Sequence, residues 1–306
     1  FWHGQRERGD TVLEFGGGSG RLARSVLDEL ARRDALPVRY AIVELSPELR
    51  ARQQALLRSQ PWAGQVSLEW LAGPPPAPFR GLVLANEVLD SLPVAAFEVG
   101  ADGLLERGVE EDGAAFRGAT RPASAALAQR FEATLGSLRL PAGFRGELNP
   151  RLPAWLADLP RFVSAGLALL FDYGEPRRML YHPTQAGGTL RCFHRHRLMD
   201  DPFWLPGLQD ITASVDFTAV AEAASEAGLG VLGYATQAGF LLANGVEQML
   251  AEAMARDAAA GARLALEARA LLLPGEMGVR FKAMALGLDP VATLSGFADR
   301  DERHRL

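Results

Sequence analysis

The stretch Thr11-Val12-Leu13-Glu14-Phe15-Gly16-Gly17-Gly18-Ser19-Gly20 decides the fold. Its first half is a short apolar run suited to a buried strand. An acid stands at Glu14, glycines follow at Gly16, Gly18 and Gly20, and a helix is expected from about Arg21. A strand that passes through a glycine-rich turn into a helix N-terminus makes a place for a nucleotide-like cofactor. Glycine permits left-handed backbone there and lets the ligand approach the main chain closely. Dinucleotide sites space their glycines as G-x-G-x-x-G, whereas the order here is E-x-G-x-G-x-G. A carboxylate in that place suits a ligand that carries an ammonium and a sulfonium and no pyrophosphate. An ordinary glycine-rich turn is the alternative that this stretch leaves open by itself.

Working outward, Leu22, Val26, Leu27 and Leu30 give an apolar stripe at helical spacing,. Tyr40 to Leu45 reads as a second strand that ends on Glu44, and Ser46-Pro47-Glu48 opens a helix to about Ser59. Serine is a good N-cap, proline suits the first helical position, and an acid suits the first turn. Val66 to Leu71 is a third strand, and the Pro-rich Gly73 to Pro78 a surface spacer. Gly81 to Ala85 is a continuous apolar run, as in a strand buried on both faces, and ends in Asn86-Glu87-Val88-Leu89-Asp90-Ser91-Leu92-Pro93,. Turn signals within 97–118 suggest an antiparallel excursion, and 123–136 and 151–164 read as helices. Leu167 to Phe171 is another buried strand, ending in Asp172-Tyr173-Gly174. Residues 175–216 show no clear period and read as a long, functional loop,. A helix from Phe217 to Ala227, a strand from Val231 to Tyr234, one helix from Gln248 to Leu273 and a strand from Arg280 to Leu288 complete the order; 298–306 read as a frayed charged tail. The order fits a doubly wound α/β sheet with ligands at the carboxyl ends of its strands. Gly16 to Gly20, Glu44 and Asn86-Glu87 all fall at such ends.

Composition narrows the classes. The chain has 306 residues, 48% of them hydrophobic, enough for one large α/β domain or two small ones,. A formal charge of −5 argues against nucleic acid as a partner, since phosphate binding needs a basic surface,. Cys192 is the single cysteine, which excludes an internal disulfide and points to a reducing compartment: the bacterial cytoplasm, or the mitochondrial matrix in a eukaryote,. No run reaches the length of a transmembrane helix, and no signal peptide is expected,. The first strand follows Phe1 almost at once, so a segment upstream is expected. Cys192, His194 and His196 would share one strand face and are ligands that suit zinc,. Arg191, Arg195 and Arg197 would repel a cation, so no metal is assigned; a basic loop that docks on an acidic partner surface fits better, and a plain solvated loop is preferred over both.

Several pieces together resemble the MidA-like methyltransferases, which use S-adenosylmethionine (SAM). They are Glu14 to Gly20, Tyr40 to Pro47, Ala85 to Val94, Asp172-Tyr173-Gly174, Gly207 to Phe217, Thr236 to Leu241 and Met277 to Phe281. The first two are generic to SAM enzymes; Ala85 to Val94 and Asp210 to Phe217 are specific to this family. The resemblance implies a Rossmann-like class I methyltransferase sheet of seven strands, the last antiparallel, with helical and loop insertions. The cofactor-binding half would be residues 1–96 and an insertion of hairpin and helices 97–166. The second half would be 167–290, carrying the loop 175–216, and the tail 291–306. It further implies SAM as methyl donor, a protein arginine as substrate and a respiratory-complex subunit as its bearer. In that family an N-terminal segment precedes the first strand and helps to build the site.

On this reading Glu14 accepts the SAM ammonium, with stabilisation of the following helix N-terminus as the alternative. Gly16, Gly18 and Gly20 cradle the methionine and ribose. Glu44 accepts both ribose hydroxyls, or else caps the next helix. Leu71 and Trp70 lie where an adenine would pack, or else simply belong to the core. With Leu45 and Asn86 these complete the cofactor-binding set. Holding a guanidinium calls for carboxylates in bidentate geometry. Glu87 is the first choice, with Asn86 beside it and Asp90 as its partner, a structural helix N-terminus over Asn86 to Asp90 being the alternative; Asp172 and Asp216 are weaker candidates. Arginine's pKa lies far above neutrality, so the proton leaves during or after transfer and no strong base is needed. Two other classes fit less of the pattern: a non-catalytic assembly protein that keeps the fold, and an NAD-dependent oxidoreductase.

Overall fold

A computed structural model describes residues 10–113, 115–195, 197–287 and 294–306. Two compact units are present: one takes in the chain up to Val88, Leu156–Tyr173 and Ala223–Arg305, the other Leu89–Trp155, Gly174–Glu222 and the terminal Leu306.

The first unit begins with β1 (Thr11–Phe15), α1 (Arg21–Arg32), β2 (Arg39–Val43), α2 (Pro47–Arg58), β3 (Ser67–Leu71) and β4 (Phe79–Asn86). The second holds β5 (Ala95–Val99), β6 (Leu104–Asp112), β7 (Ala115–Pro122), α3 (Ala125–Leu135) and β8 (Arg145–Leu148). Then come α4 (Leu152–Phe162), β9 (Val163–Glu175), α5 (Arg177–Leu180), β10 (Arg191–His194), β11 (Arg197–Met199), β12 (Asp210–Thr212), β13 (Val215–Asp216) and α6 (Phe217–Glu226). The chain closes with β14 (Gly230–Thr236), α7 (Gln237–Ala243), α8 (Val246–Arg256), α9 (Ala258–Leu272), α10 (Met277–Arg280) and β15 (Phe281–Gly287).

The main sheet runs β14-β15-β9-β4-β1-β2-β3, with β13 paired off that path to the end of β9. β9, β4, β1, β2 and β3 are mutually parallel, and β15 runs antiparallel to both its neighbours. This is the expected methyltransferase-like order with one antiparallel strand. Its centre is apolar on both faces, as the runs around Leu13 and Val83 required. Val12, Ala23, Leu27, Tyr40, Ile42, Leu57 and Leu84 form one core cluster, and Ala235, Ala283, Ala285 and Phe297 another. The stripe on α1 is shifted from the sequence expectation: Ala23 and Leu27 are buried, while Leu22 faces solvent.

The second unit has a four-stranded antiparallel sheet, β7-β6-β5-β8, and a three-stranded one, β11-β10-β12. Phe97, Leu127, Leu135, Phe144, Leu148, Leu180 and Tyr181 make its core.

Four expectations are corrected. The segment 175–216 is not a structureless loop, since it holds β10 to β13. The helix expected over 151–164 ends at Phe162, and the strand after it begins at Val163. The helix expected over Gln248 to Leu273 is two helices, because Asp257 turns its carboxylate onto the N–H groups of Ala259 and Ala260 and starts a new one,. The charged tail is fastened to the edge strand β14: Glu302 N–H donates to Tyr234 O at 2.6 Å, Tyr234 N–H to Asp301 Oδ1 at 3.3 Å, and Arg303 Nη1 to Val231 O at 2.9 Å.

Candidate functional site

The parallel register brings the polar features at the strand ends into line. Phe15 lies opposite Val43 and Ala85, and Val43 opposite Leu71. The next residues out, Gly16, Glu44 and Asn86, therefore stand along the carboxyl edge of β2, β1 and β4. Main-chain bonds extend the alignment one step past the strands: Gly16 N–H donates to Val43 O, and Glu44 N–H to Leu71 O, both at 3.1 Å.

At the turn, Gly16, Gly18 and Gly20 all adopt positive φ, and Gly20 does so as the N-cap of α1 with φ 79°. Gly17 is needed for room: a Cβ there would stand 2.8 Å from Ile42 Cγ2. A Cβ on Gly18 would meet nothing within 4 Å, so the outer side of the turn is open. The helix has no side-chain cap and no acid in its first turn. Its N-terminal N–H groups are thus available to a ligand.

Glu14 is buried in β1 and accepts from Tyr40 Oη at 2.9 Å. Its bond therefore goes to a neighbouring strand and not to the helix N-terminus. Burial pushes its pKa up to about 7, against the hydrogen bond from Tyr40 and with a further push from Glu44,. Glu44 is also buried. Its Oε1 accepts from Ser46 N–H at 2.9 Å and its Oε2 from Gln53 Nε2 at 3.0 Å. Ser46 is itself the N-cap of α2 and accepts from Leu49 N–H. Leu71 is half-buried at the end of β3, and Leu45 is exposed.

Asn86 ends β4, and Glu87 follows it with φ 53°, an unusual left-handed conformation for a residue with a side chain,. Glu87 N–H donates to Phe171 O at 2.8 Å, which holds the turn, and its carboxylate is exposed with Asn86 Nδ2 at 3.3 Å from Oε1. Val88 reaches the glycine turn: its Cγ2 would lie 3.4 Å from a Cβ on Gly16. Asn86 and Glu87 are thus brought beside the turn. Asp90 belongs to the second unit, where it is buried and its carbonyl accepts from Ala213 N–H at 3.1 Å.

Asp172 is buried in β9, opposite Lys282 of β15. Asp216 caps α6 through Ala219 N–H and pairs with Arg177 Nε at 3.0 Å, and the same guanidinium holds both oxygens of Glu222. These bonds give Asp216 a structural task. The zinc-like alternation stops early, because β10 ends at His194 and Arg195 turns the chain with φ 51°. His194 faces Leu208 O and Trp204, and His196 lies outside the described residues.

Sequence reasoning missed three residues. Tyr40 was read only as the start of a strand. Arg50 donates to the carbonyls of Glu44 and Leu71 at 2.8 and 3.4 Å, tying together the ends of β2 and β3. Gln53 is buried and bonds both Gly18 and Glu44. Arg50 and Gln53 stand one turn apart on α2, but polar residues cover most of that helix and the spacing alone marks no face as buried. The second unit also contains a cavity of about 640 Å³ lined by Arg107, Val109, Phe116, Phe203 and Ile211 among others; no residue predicted for the site lines it.

A family model described as "Putative S-adenosyl-L-methionine-dependent methyltransferase" matches residues 1–235. The chain is 29% identical over 304 residues to "Protein arginine methyltransferase NDUFAF7 homolog, mitochondrial" of Drosophila melanogaster, covering 90% of this chain and 67% of that one. It is 27% identical over 300 residues to the Danio rerio protein arginine methyltransferase NDUFAF7, with 89% and 67% covered. A crystal structure from Burkholderia thailandensis bound to S-adenosyl-homocysteine (SAH) is 39% identical with a TM-score of 0.91, covering 99% of this chain and 78% of that one. A native structure from the same organism matches at 39% identity and a TM-score of 0.92, with 100% and 81% covered.

Proposed function

Because this chain belongs to the S-adenosyl-L-methionine-dependent methyltransferases, we propose that it transfers the methyl group of SAM to an arginine side chain of a protein, as the names of its insect and fish relatives suggest for them.

The residues at the strand ends fit SAM. Gly17 and its neighbours keep the turn clear of side chains, so a ligand can lie against the main chain,. Glu44 spends one acceptor position of each oxygen inside the protein, and a carboxylate oxygen has a second for a ribose hydroxyl,. Glu14 offers the ammonium a buried carboxylate, where a charge pair is weakly screened,. When bound, SAM supplies an electrophilic methyl on a sulfonium. The chain's own contribution is to bind, orient and exclude water.

The observation that carries the arginine reading is Glu87. It is an exposed carboxylate in a left-handed conformation, adjoining the glycine turn through Val88. Such a conformation costs on the order of 1 kcal/mol and tends to persist where the position serves function. In the proposed role, Glu87 binds the guanidinium through two parallel N–H···O bonds, fixes its plane and localises its charge, while Asn86 orients the carboxylate. The guanidinium proton passes to solvent after transfer.

Two variants test this with purified protein and mass spectrometry of methylarginine peptides from cells with and without the gene. Glu87→Gln should lower transfer about 100-fold or more while SAH affinity stays near wild type. Glu87→Gly should fold within about 1 kcal/mol of wild type, since relief of left-handed strain offsets the added chain entropy, and should lose transfer as well. Retained methylarginine in both variants would overturn the role of Glu87. Loss of the gene without loss of any methylarginine peptide would overturn the substrate class.

A further inference from the structure

Gln53 stands at the junction of three parts of the cofactor site. It is fully buried on α2. Its Nε2 donates to Gly18 O at 2.9 Å and to Glu44 Oε2 at 3.0 Å, while its Oε1 accepts from Trp70 Nε1 at 3.0 Å. Chemistry fixes the orientation of this amide. An indole N–H can only donate, and a carbonyl or a carboxylate can only accept, so one arrangement satisfies all three partners.

The rest of the side chain shapes the turn. A Cβ on Gly20 would stand 3.3 Å from Gln53 Cγ, and one on Gly17 3.1 Å from Gln53 Nε2. The glycine turn is therefore moulded on Gln53, which accounts for part of its glycine content. The same amide fixes one oxygen of Glu44, and Ser46 N–H fixes the other. A neutral amide does this without the salt bridge that a lysine or arginine would form. The remaining lone pairs of the carboxylate are left for a neutral diol.

We propose that Gln53 is a positioning residue for the cofactor: it sets Gly18 and Glu44 at the spacing the ribose requires, and Trp70 locks its amide in place. The proposal rests on Glu44 being a cofactor ligand.

The test is SAH binding by titration calorimetry, from about pH 5.5 to about pH 8, with thermal melts on every variant. Gln53→Glu is nearly isosteric but sets a carboxylate against Glu44. Its affinity relative to wild type should fall about tenfold or more at the upper end and recover as the new acid protonates at the lower end. Trp70→Phe frees the amide at a half-buried position and should weaken binding about threefold to tenfold with an unchanged melt. A merely structural Gln53 would lower the melting temperature and leave no pH-dependent ratio. Both variants within twofold of wild type at every pH would overturn the proposal, and Gln53→Met, which keeps the bulk and removes the amide without touching the adenine side, decides in the same way if Gln53→Glu does not fold. Glu44→Ala separates the two layers. Wild-type affinity in that variant removes the premise about Glu44, and the proposal with it. Weak binding there beside unaffected Gln53 and Trp70 variants overturns the proposal by itself.

Discussion

Glu14 is the buried carboxylate proposed to meet the SAM ammonium. Burial raises its pKa from 4.5 to about 7. The folded state therefore holds a proton that the unfolded chain has already released, and stability falls as pH rises across that window, by roughly 3 kcal/mol in all. A cationic ligand reverses the balance, since it favours the ionised carboxylate. SAM should consequently bind about tenfold more tightly near pH 8 than near pH 6, with proton release visible as a buffer-dependent heat. Glu14→Gln keeps an oxygen for Tyr40 Oη. It should flatten the pH dependence and melt higher than wild type near pH 8 but not near pH 5. A pH-independent affinity in wild type would rule out Glu14 as the ammonium's partner. At this scale the placement of Glu14 and Glu44 at the carboxyl ends of neighbouring strands was legible, because each closes an apolar run. Gln53 was not. It is covered by the glycine turn, Glu44 and Trp70, and a polar residue on a helix gives no sign of which face will be covered. The strain at Glu87 was equally hidden, since a left-handed conformation at a residue other than glycine is set by the surrounding fold and not by local propensity.

Among the elements, the βαβ start was readable from periodicity and caps: β1, α1, β2, α2 and β3 all lie within a few residues of where the sequence set them. β10 to β12 were not. They are only three or four residues long, so no alternation could develop. The break between α8 and α9 was masked by strong helix formers on both sides of Asp257,. The stretch Asp210 to Phe217, singled out as family-specific, now has a physical account. Val215 pairs with Gly174, where a Cβ would lie 2.1 Å from Val215 O, and Asp216 both caps α6 and holds Arg177. Burial raises the pKa of Asp216 against the pull of Arg177, and its ion pair is mostly shielded from water. Asp216→Ala should therefore cost about 3 kcal/mol in urea denaturation, since Arg177 loses a buried partner. Activity per folded molecule should survive. A collapse in turnover at unchanged stability would return Asp216 to the catalytic candidates.

For the molecule as a whole, sheet order was legible from the succession of strands, whereas the treatment of its edge was not. β14 is the edge strand, and residues 301–303 occupy donors and acceptors along it. Uncovered strand edges invite pairing with other chains. Removing residues 300–306 should lower the melting temperature and bring concentration-dependent association by light scattering; a truncated chain that stays monodisperse would show that the edge needs no cover. No helix among the described residues is long and apolar enough to cross a membrane. A last consequence concerns the order of events in folding. β4 and β9 are neighbours in register, Asn86 against Phe171, yet the first long segment of the second unit runs between them. Closing so long a loop is entropically costly while the intervening chain is disordered. If β5 to β8 and α3 collapse first around Phe97 and Phe144, the loop is already shortened when the parallel strands meet. The refolding rate of the main sheet would then be governed by a core to which that sheet contributes no strand.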